Sequence, residues 1–77
     1  MIKLNKKYIG LKIKEFRIIN NIELLDLSKE TEIEVSKLLK IENGLTIPSL
    51  REMVSICNFF ETSIHEFIEY NNIRIVK

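Results

Sequence analysis

Apolar residues recur along this chain at the three- and four-residue spacing of an amphipathic helix. The clearest series is Ile9, Ile13 and Phe16, which has charged residues between its members. The same spacing predicts five helices, which cover residues 6–19, 24–31, 35–42, 49–60 and 63–70. Residues 73–77 alternate weakly between apolar and charged side chains, so we expect a short strand or an ordered tail there. The pattern therefore predicts an all-α fold of five helices.

Residue types that favour helix ends stand at several of these boundaries. The asparagines at positions 20 and 21 follow the first helix and Gly44 follows the third, and both residue types tolerate the left-handed conformation. Ser49 and Glu52 have the spacing of a capping box, in which each side chain satisfies a free backbone N–H group of the other residue. A second capping box is predicted at residues 63–66.

The apolar faces of these helices supply the expected core. Cys57 is predicted to be a small buried apolar residue, and His65 is expected to be exposed at the start of the last helix. Beyond the first helix, the residues expected to point inward are Leu27, Leu38, Ile41, Leu50, Met53, Val54, Cys57, Phe60, Ile64, Phe67 and Ile68.

Length and composition limit the class of protein. A chain of 77 residues is long enough for one small domain, so we expect residues 1–77 to form a single domain. A hydrophobic content of 45% excludes a disordered chain, and no apolar run approaches the roughly 18 residues of a membrane span. Lysines near the N-terminus interrupt any signal-peptide core, so we expect a cytoplasmic protein without membrane association.

The chain offers little catalytic or metal-binding chemistry. One cysteine and one histidine cannot form an intrachain disulfide or a metal cluster by themselves, so no metal is expected. We find no nucleophile with a base, no carboxylate pair in an obvious cleft and no glycine-rich phosphate loop. We therefore expect neither an enzyme nor a cofactor.

Charge is distributed unevenly, although the net charge is only +1. The first twenty residues contain six basic residues and one acidic residue, whereas residues 21–46 contain three basic and six acidic residues. A basic segment can face an anion such as nucleic acid, and an acidic segment does not favour one. The first helix is therefore a better electrostatic match for nucleic acid than the segment that follows it.

The second and third predicted helices are joined by a turn of only three residues, 32–34. Two short helices joined in this way form a helix-turn-helix, and in DNA-binding examples the second helix lies in the major groove. Such a unit has too small a core to stand alone. The first, fourth and fifth helices would supply the missing apolar surface.

From Ile9 to Ile68 the sequence resembles the lambda-repressor-like helix-turn-helix domains of the Cro/CI type, also called the XRE family. The most specific match is Ile-Glu-Asn-Gly at residues 41–44 followed by Pro-Ser-Leu at residues 48–50. Further matching positions are Ile9, Gly10, Ile13–Arg17, Leu27, Ile33, Leu38 and Ile64–Phe67. The resemblance implies a five-helix DNA-binding domain, with double-stranded DNA as the partner.

The resemblance also implies roles for individual residues. By position, the base-contacting face is Glu34, Val35, Ser36, Leu39 and Lys40, and the phosphate-contacting positions are Leu24, Lys37, Asn43 and Thr46. Arg17 and Glu42 correspond to a structural salt bridge between the first helix and the end of the third. Family members often dimerise through the C-terminal end, which implies a homodimer interface at Phe59, Ile68, Ile73 and Ile75.

Four positions depart from the family pattern. Leu24 replaces a phosphate-contacting Gln, Glu32 replaces the Gly of the turn, and Glu23 and Glu34 replace the Ser or Thr helix caps. The principal hypothesis is a transcriptional regulator, expected to be a repressor that binds a palindromic operator as a dimer. The alternative is a protein-interaction module, an antirepressor or antitoxin-type partner with weak or no DNA binding, because Leu24 and Leu39 are apolar where DNA would lie.

Overall fold

The computed structural model describes residues 2–70 of the chain, with side chains described for residues 4–68. Four α-helices and one turn of 3₁₀-helix follow one another. They are α1 (Lys6–Ile19), α2 (Leu24–Thr31), α3 (Val35–Glu42), α4 (Leu50–Phe60) and the 3₁₀ turn Ile64–Phe67. Two-residue strands, β1 (Ile2–Lys3) and β2 (Glu69–Tyr70), pair in antiparallel fashion and bring the two ends of the described range together. The first four predicted helices are confirmed.

The fifth predicted helix is wrong in both length and type. Only Ile64–Phe67 is helical, and Ile68 already has the extended dihedral angles φ −105° and ψ 128°. The hydroxyl of Ser63 accepts a hydrogen bond from the backbone N–H of His65 at 3.2 Å. The chain leaves the turn at once because β2 pairs with β1, a long-range contact that no local pattern contains. The predicted strand or tail at residues 73–77 lies outside the described residues.

The core lies where the four α-helices and the 3₁₀ turn meet. Ile13, Leu27, Leu38, Ile41 and Ile56 are fully buried. The ring of Phe16 lies 5.4 Å from that of Phe60 and 5.3 Å from that of Phe67, centroid to centroid. These contacts join the α1 helix to the C-terminal part of the described chain.

The inward face of α4 differs from the prediction. Leu50 is 74% exposed and Val54 is also exposed, whereas Ile56, which was not predicted to be inward, is fully buried. The residues of α4 that face the core are Met53, Ile56 and Cys57. The helix is therefore rotated about its axis relative to the prediction. Cys57 is buried as expected, and burial raises the pKa of its thiol. Ile64 is exposed as well, and Ile68 is half-buried.

Helix α1 packs on the C-terminal end of α3 through a glycine. A β-carbon at Gly10 would collide with the carbonyl oxygen of Ile41 and approach that of Glu42 to 3.0 Å. Gly44, just past α3, has a φ of 74°, and its backbone lies against the side chain of Lys7. These close approaches fix the position of the helix-turn-helix relative to α1.

Candidate nucleic-acid interface

The turn between α2 and α3 is held by side chains on both sides of it. Glu32 has left-handed dihedral angles, φ 61° and ψ 30°, at the position where the family usually has glycine. The Ser28 hydroxyl donates a hydrogen bond of 2.6 Å to the carbonyl oxygen of Ile33, and the side chain of Ile33 is buried. The buried hydroxyl of Thr31 donates to the carbonyl oxygen of Leu27 at 2.7 Å. The sequence therefore builds the turn despite the strain at Glu32.

The first turns of α2 and α3 have no side-chain cap. Glu23 and Glu34 occupy the N-cap positions in extended conformations, and neither side chain bonds to the helix that it precedes. Asn5 and Ser49 do cap α1 and α4. Uncapped N–H groups at the start of a helix, together with the helix dipole, are able to bind a phosphate. The two helices of the helix-turn-helix are therefore the ones whose first turns have this capacity.

A shallow groove of 440 Å³ runs between α3 and the loop that follows it. The residues that line it include four of the predicted DNA-contacting positions, and the full set is Ser36, Lys37, Lys40, Leu45 and Thr46. The remaining predicted positions lie outside the groove. Glu34, Leu39 and Asn43 are exposed, and Val35 is half-buried. The tertiary structure thus brings the polar predicted positions of α3 together with Thr46 on one surface.

Lys37 makes an ion pair that the sequence analysis did not predict. Its ammonium Nζ lies 3.1 Å from Oε2 of Glu52 in the first turn of α4. The other carboxylate oxygen of Glu52, Oε1, accepts the backbone N–H of Ser49 at 2.8 Å, and the Glu52 N–H donates to the Ser49 hydroxyl at 3.1 Å. The capping box is confirmed. Its carboxylate also binds α3, which only the approach of the two helices could show.

The environment of Glu52 favours its charged form. Burial raises the pKa of this carboxyl, but the hydrogen bonds with Ser49 and the ammonium of Lys37 together outweigh burial, so the pKa lies below its usual value. The carboxylate therefore stays ionised at neutral pH. It places a negative charge directly beside the α3 groove.

Arg17 and Glu42 form the predicted ion pair. The guanidinium binds the carboxylate through two bonds, Nε to Oε2 at 2.7 Å and a terminal nitrogen to Oε1 at 3.0 Å. The third contact of Arg17 is a bond of 3.0 Å to the carbonyl oxygen of Ile22. The Glu42 side chain is only 4% exposed, and its hydrogen bonds to the guanidinium raise the pKa of Arg17 above its usual value. This pair ties α1 to the end of α3 and to the α1–α2 connection.

The basic residues of α1 do not all face one way. Lys12 pairs with Glu15 at 3.6 Å within the helix, and its ammonium lies 6.0 Å from the centre of the Tyr8 ring. Lys7, in contrast, lies against Gly44 next to the loop after α3. One lysine of the basic segment therefore lies against Gly44, the residue that follows Asn43, a predicted phosphate position. Spacing alone gave no signal for this neighbourhood, because it depends on how α1 crosses α3.

Two groups of exposed apolar side chains lie near the predicted interfaces. Beside the α3 groove, Leu39 and Leu45 are exposed, whereas Leu24 packs partly against the core and is less available to DNA or a partner than expected. The second group lines an apolar groove of 170 Å³ between the start of α4 and the 3₁₀ turn. The walls of this groove include Leu4, Leu50, Ile64 and Ile68. The second apolar surface coincides only in part with the predicted dimer interface.

The other predicted interface residues are placed differently. Phe59 packs partly against the core, and its ring meets that of Phe60 edge-on with 5.0 Å between centroids. Ile73 and Ile75 lie outside the described residues. Within residues 2–70, no three His, Cys, Asp or Glu side chains could hold a metal ion. No helix in that range is long and apolar enough to cross a membrane.

Comparison with known proteins gives one family and several similar folds. A family model described as "Helix-turn-helix domain" matches residues 10–73. Two crystal structures of the clp gene regulator ClgR from Corynebacterium glutamicum are similar. One has a TM-score of 0.77 and 20% identity over 84% of this chain and 69% of that chain. The other has a TM-score of 0.75 and 20% identity over 84% of each chain.

A third similar structure is an HTH_3 family transcriptional regulator from Vibrio cholerae. Its TM-score is 0.75 and its identity 24%, over 82% of this chain and 35% of that chain. This chain therefore spans about a third of the length of that regulator. No curated protein sequence matches the chain.

Proposed function

The chain belongs to the helix-turn-helix domain family, in its lambda-repressor-like form, and from this we propose that it is a sequence-specific DNA-binding transcriptional regulator. The observation that carries the proposal is the groove along α3. Ser36 and Lys40 are exposed there, beside Thr46, on the helix that this family inserts into the major groove. The similar solved structures are themselves described as regulators.

Each proposed contact follows from the chemistry of the side chain. The Ser36 hydroxyl donates to or accepts from a base edge, and Lys40 donates to guanine or a phosphate. Val35 packs on a thymine methyl group, and Glu34 accepts from the amino group of cytosine. Leu39 adds apolar contact. Phosphate contacts come from Asn43, Thr46 and the uncapped first turns of α2 and α3, and these contacts fix the register on the duplex.

We propose that the regulator works as a homodimer in the cytoplasm and represses by occupying a palindromic operator. Two recognition helices about 34 Å apart would then meet successive major grooves. The exposed apolar side chains next to Ile68, above all Leu50, support a second copy on this side of the molecule. Phe59 is proposed to contribute its exposed part to the same contact.

Fluorescence anisotropy with DNA from the region upstream of the gene, against a scrambled duplex, tests the proposal. Wild type should bind its own DNA more tightly, and a variant with Ser36→Ala and Lys40→Ala should lose roughly 10- to 100-fold of specific affinity. Lys14→Ala is the matched control, because it removes one exposed positive charge from α1 without changing the α3 face. Equal binding of both duplexes by wild type would refute sequence-specific recognition.

A second candidate function rests on a different observation. Leu39 and Leu45 leave apolar surface exposed beside the α3 groove, and the helix-turn-helix segment is acidic. A protein partner, such as a toxin or a repressor, would cover these side chains. If wild type binds neither duplex at low salt, a pull-down with wild type as bait identifies the protein partner. The same pull-down is then repeated with Leu39→Lys and with Leu45→Lys. Loss of the partner with both variants supports this function.

A further inference from the structure

Glu52 contacts the recognition helix and the helix after it at the same time. One carboxylate oxygen accepts the Ser49 N–H, and the other lies 3.1 Å from the Lys37 ammonium. The Glu52 side chain is 15% exposed, whereas that of Lys37 is 42% exposed. The carboxylate is thus fixed by α4, and it holds the more exposed lysine against the protein.

The position of Lys37 in α3 explains why it accepts this partner. Lys37 is in the first turn, where the helix dipole is positive and an ammonium is disfavoured. The first turn of α4 also lies at the positive end of a helix dipole. It is close to Lys37, because Glu52 is in this turn and Ser49 caps it. The Glu52 carboxylate therefore compensates both the Lys37 ammonium and the first turn of α4. Lys40, in the last turn of α3, forms no ion pair with any described residue.

We propose that Glu52 is a positioning residue that keeps the Lys37 ammonium on the protein and thereby lowers the number of phosphates that the α3 face neutralises. This inference rests on the proposed function, because it concerns how the same face binds DNA. A phosphate that approached Lys37 would have to displace a carboxylate that α4 holds in place. The displaced carboxylate would still repel the phosphate. Lys37 therefore contributes to folding and not to DNA affinity, unlike Asn43 and Thr46.

The salt dependence of DNA affinity reports this directly. For duplex DNA the slope of log K against log salt changes by about 0.9 for each phosphate neutralised. Lys37→Ala in the wild-type background should leave the slope unchanged. Glu52→Gln, which keeps an oxygen for the capping box, should steepen the slope by about 0.9 and raise affinity roughly two- to fivefold at low salt. The double variant should return to the wild-type slope.

A control variant separates this effect from general charge. Glu30→Gln removes one exposed negative charge from α2 without touching Lys37, so its slope should match that of wild type. Two results would overturn the proposal. One is a salt dependence that becomes shallower by about 0.9 in Lys37→Ala, and the other is an unchanged salt dependence in Glu52→Gln.

The Lys37–Glu52 pair can be tested without DNA, and therefore independently of whether the protein binds DNA. An NMR titration of the Glu52 carboxyl carbon should show a higher pKa in Lys37→Ala than in wild type, since the ammonium lowers it. An unchanged pKa would mean that the pair does not form in solution, and the inference would fail while the proposed function stands. If the pair forms but no variant binds DNA, the proposed function fails and this role of Glu52 fails with it.

Discussion

Gly10 in α1 lies directly against the carbonyl oxygen of Ile41 in α3, with no room for a β-carbon between them. The contact is backbone to backbone, so neither side can move without shifting a helix. It sets the distance between the supporting helix and the recognition helix. The orientation of the candidate DNA-binding face therefore depends on a residue that would never touch DNA.

Gly10→Ala should destabilise the protein by about 1–3 kcal/mol because the new methyl group overpacks this contact. The sign of the change in unfolding free energy identifies the close contact, because Gly to Ala in an ordinary helix interior stabilises by about 1 kcal/mol. Urea denaturation monitored by circular dichroism measures the change. Leu11→Ala, at an exposed neighbouring position, should change stability by less than about 0.5 kcal/mol. A Gly10→Ala variant as stable as wild type would contradict the close approach.

Arg17→Met should cost about 3–5 kcal/mol, because it leaves the Glu42 carboxylate buried without its cation. The variant Arg17→Met with Glu42→Leu should recover a large part of this loss, since no buried charge then remains. Chemical denaturation of wild type, both single variants and the double variant gives the coupling energy. Additive losses would show that the pair contributes no coupling. The control is Lys12→Met, which breaks only an exposed pair within α1.

Glu32→Gly and Glu61→Gly should each stabilise the protein by up to about 1 kcal/mol. Both residues have left-handed backbone, with φ of 61° and 56°, which costs a non-glycine residue about 1–2 kcal/mol. The gain is reduced because glycine is more flexible in the unfolded chain. Glu30→Gly, in the helical part of α2, should instead destabilise by about 1 kcal/mol. Thermal melts distinguish the two directions, and a loss of stability at position 32 would contradict the strain at the turn.

The stability of the fold should depend on the ionisation of Glu52. Its pKa is lowered in the folded state, so its contribution is complete above the unfolded value of about 4.3 and is lost as pH falls through the lower folded value. Glu52→Gln should be less stable than wild type at pH 7, and the difference should narrow below about pH 4.3. Denaturation curves between pH 3 and 7 measure this. A constant difference over that range would contradict the shift.

Self-association should depend on the exposed part of α4. Leu50→Lys places a charge in the apolar surface next to Ile64 and Ile68, and it should shift a dimer to monomer without loss of folding, since Leu50 is 74% exposed. Sedimentation equilibrium measures the mass. Leu11→Lys, at an exposed position on α1, is the matched control and should leave the mass unchanged. A monomeric wild type would refute the dimer itself.

The four α-helices could be predicted from the sequence, because their signals are local. Apolar spacing and the residues at helix ends act within one or two turns, and the bounds of α1, α2 and α3 agree with the prediction. The capping box of Ser49 and Glu52 formed for the same reason. The family resemblance, rather than spacing, supplied the pairing of Arg17 with Glu42.

The remaining features could not be predicted from local patterns, because they depend on contacts between residues far apart in the chain. The pairing of β2 with β1 ended the fifth helix after one 3₁₀ turn. The rotation of α4 exposed Leu50 and buried Ile56. The approach of α4 to α3 gave Lys37 a carboxylate partner beside the candidate DNA-binding groove. Local interactions determine where helices form along the chain. The free energy of packing those helices together determines which faces become buried and which charged side chains pair.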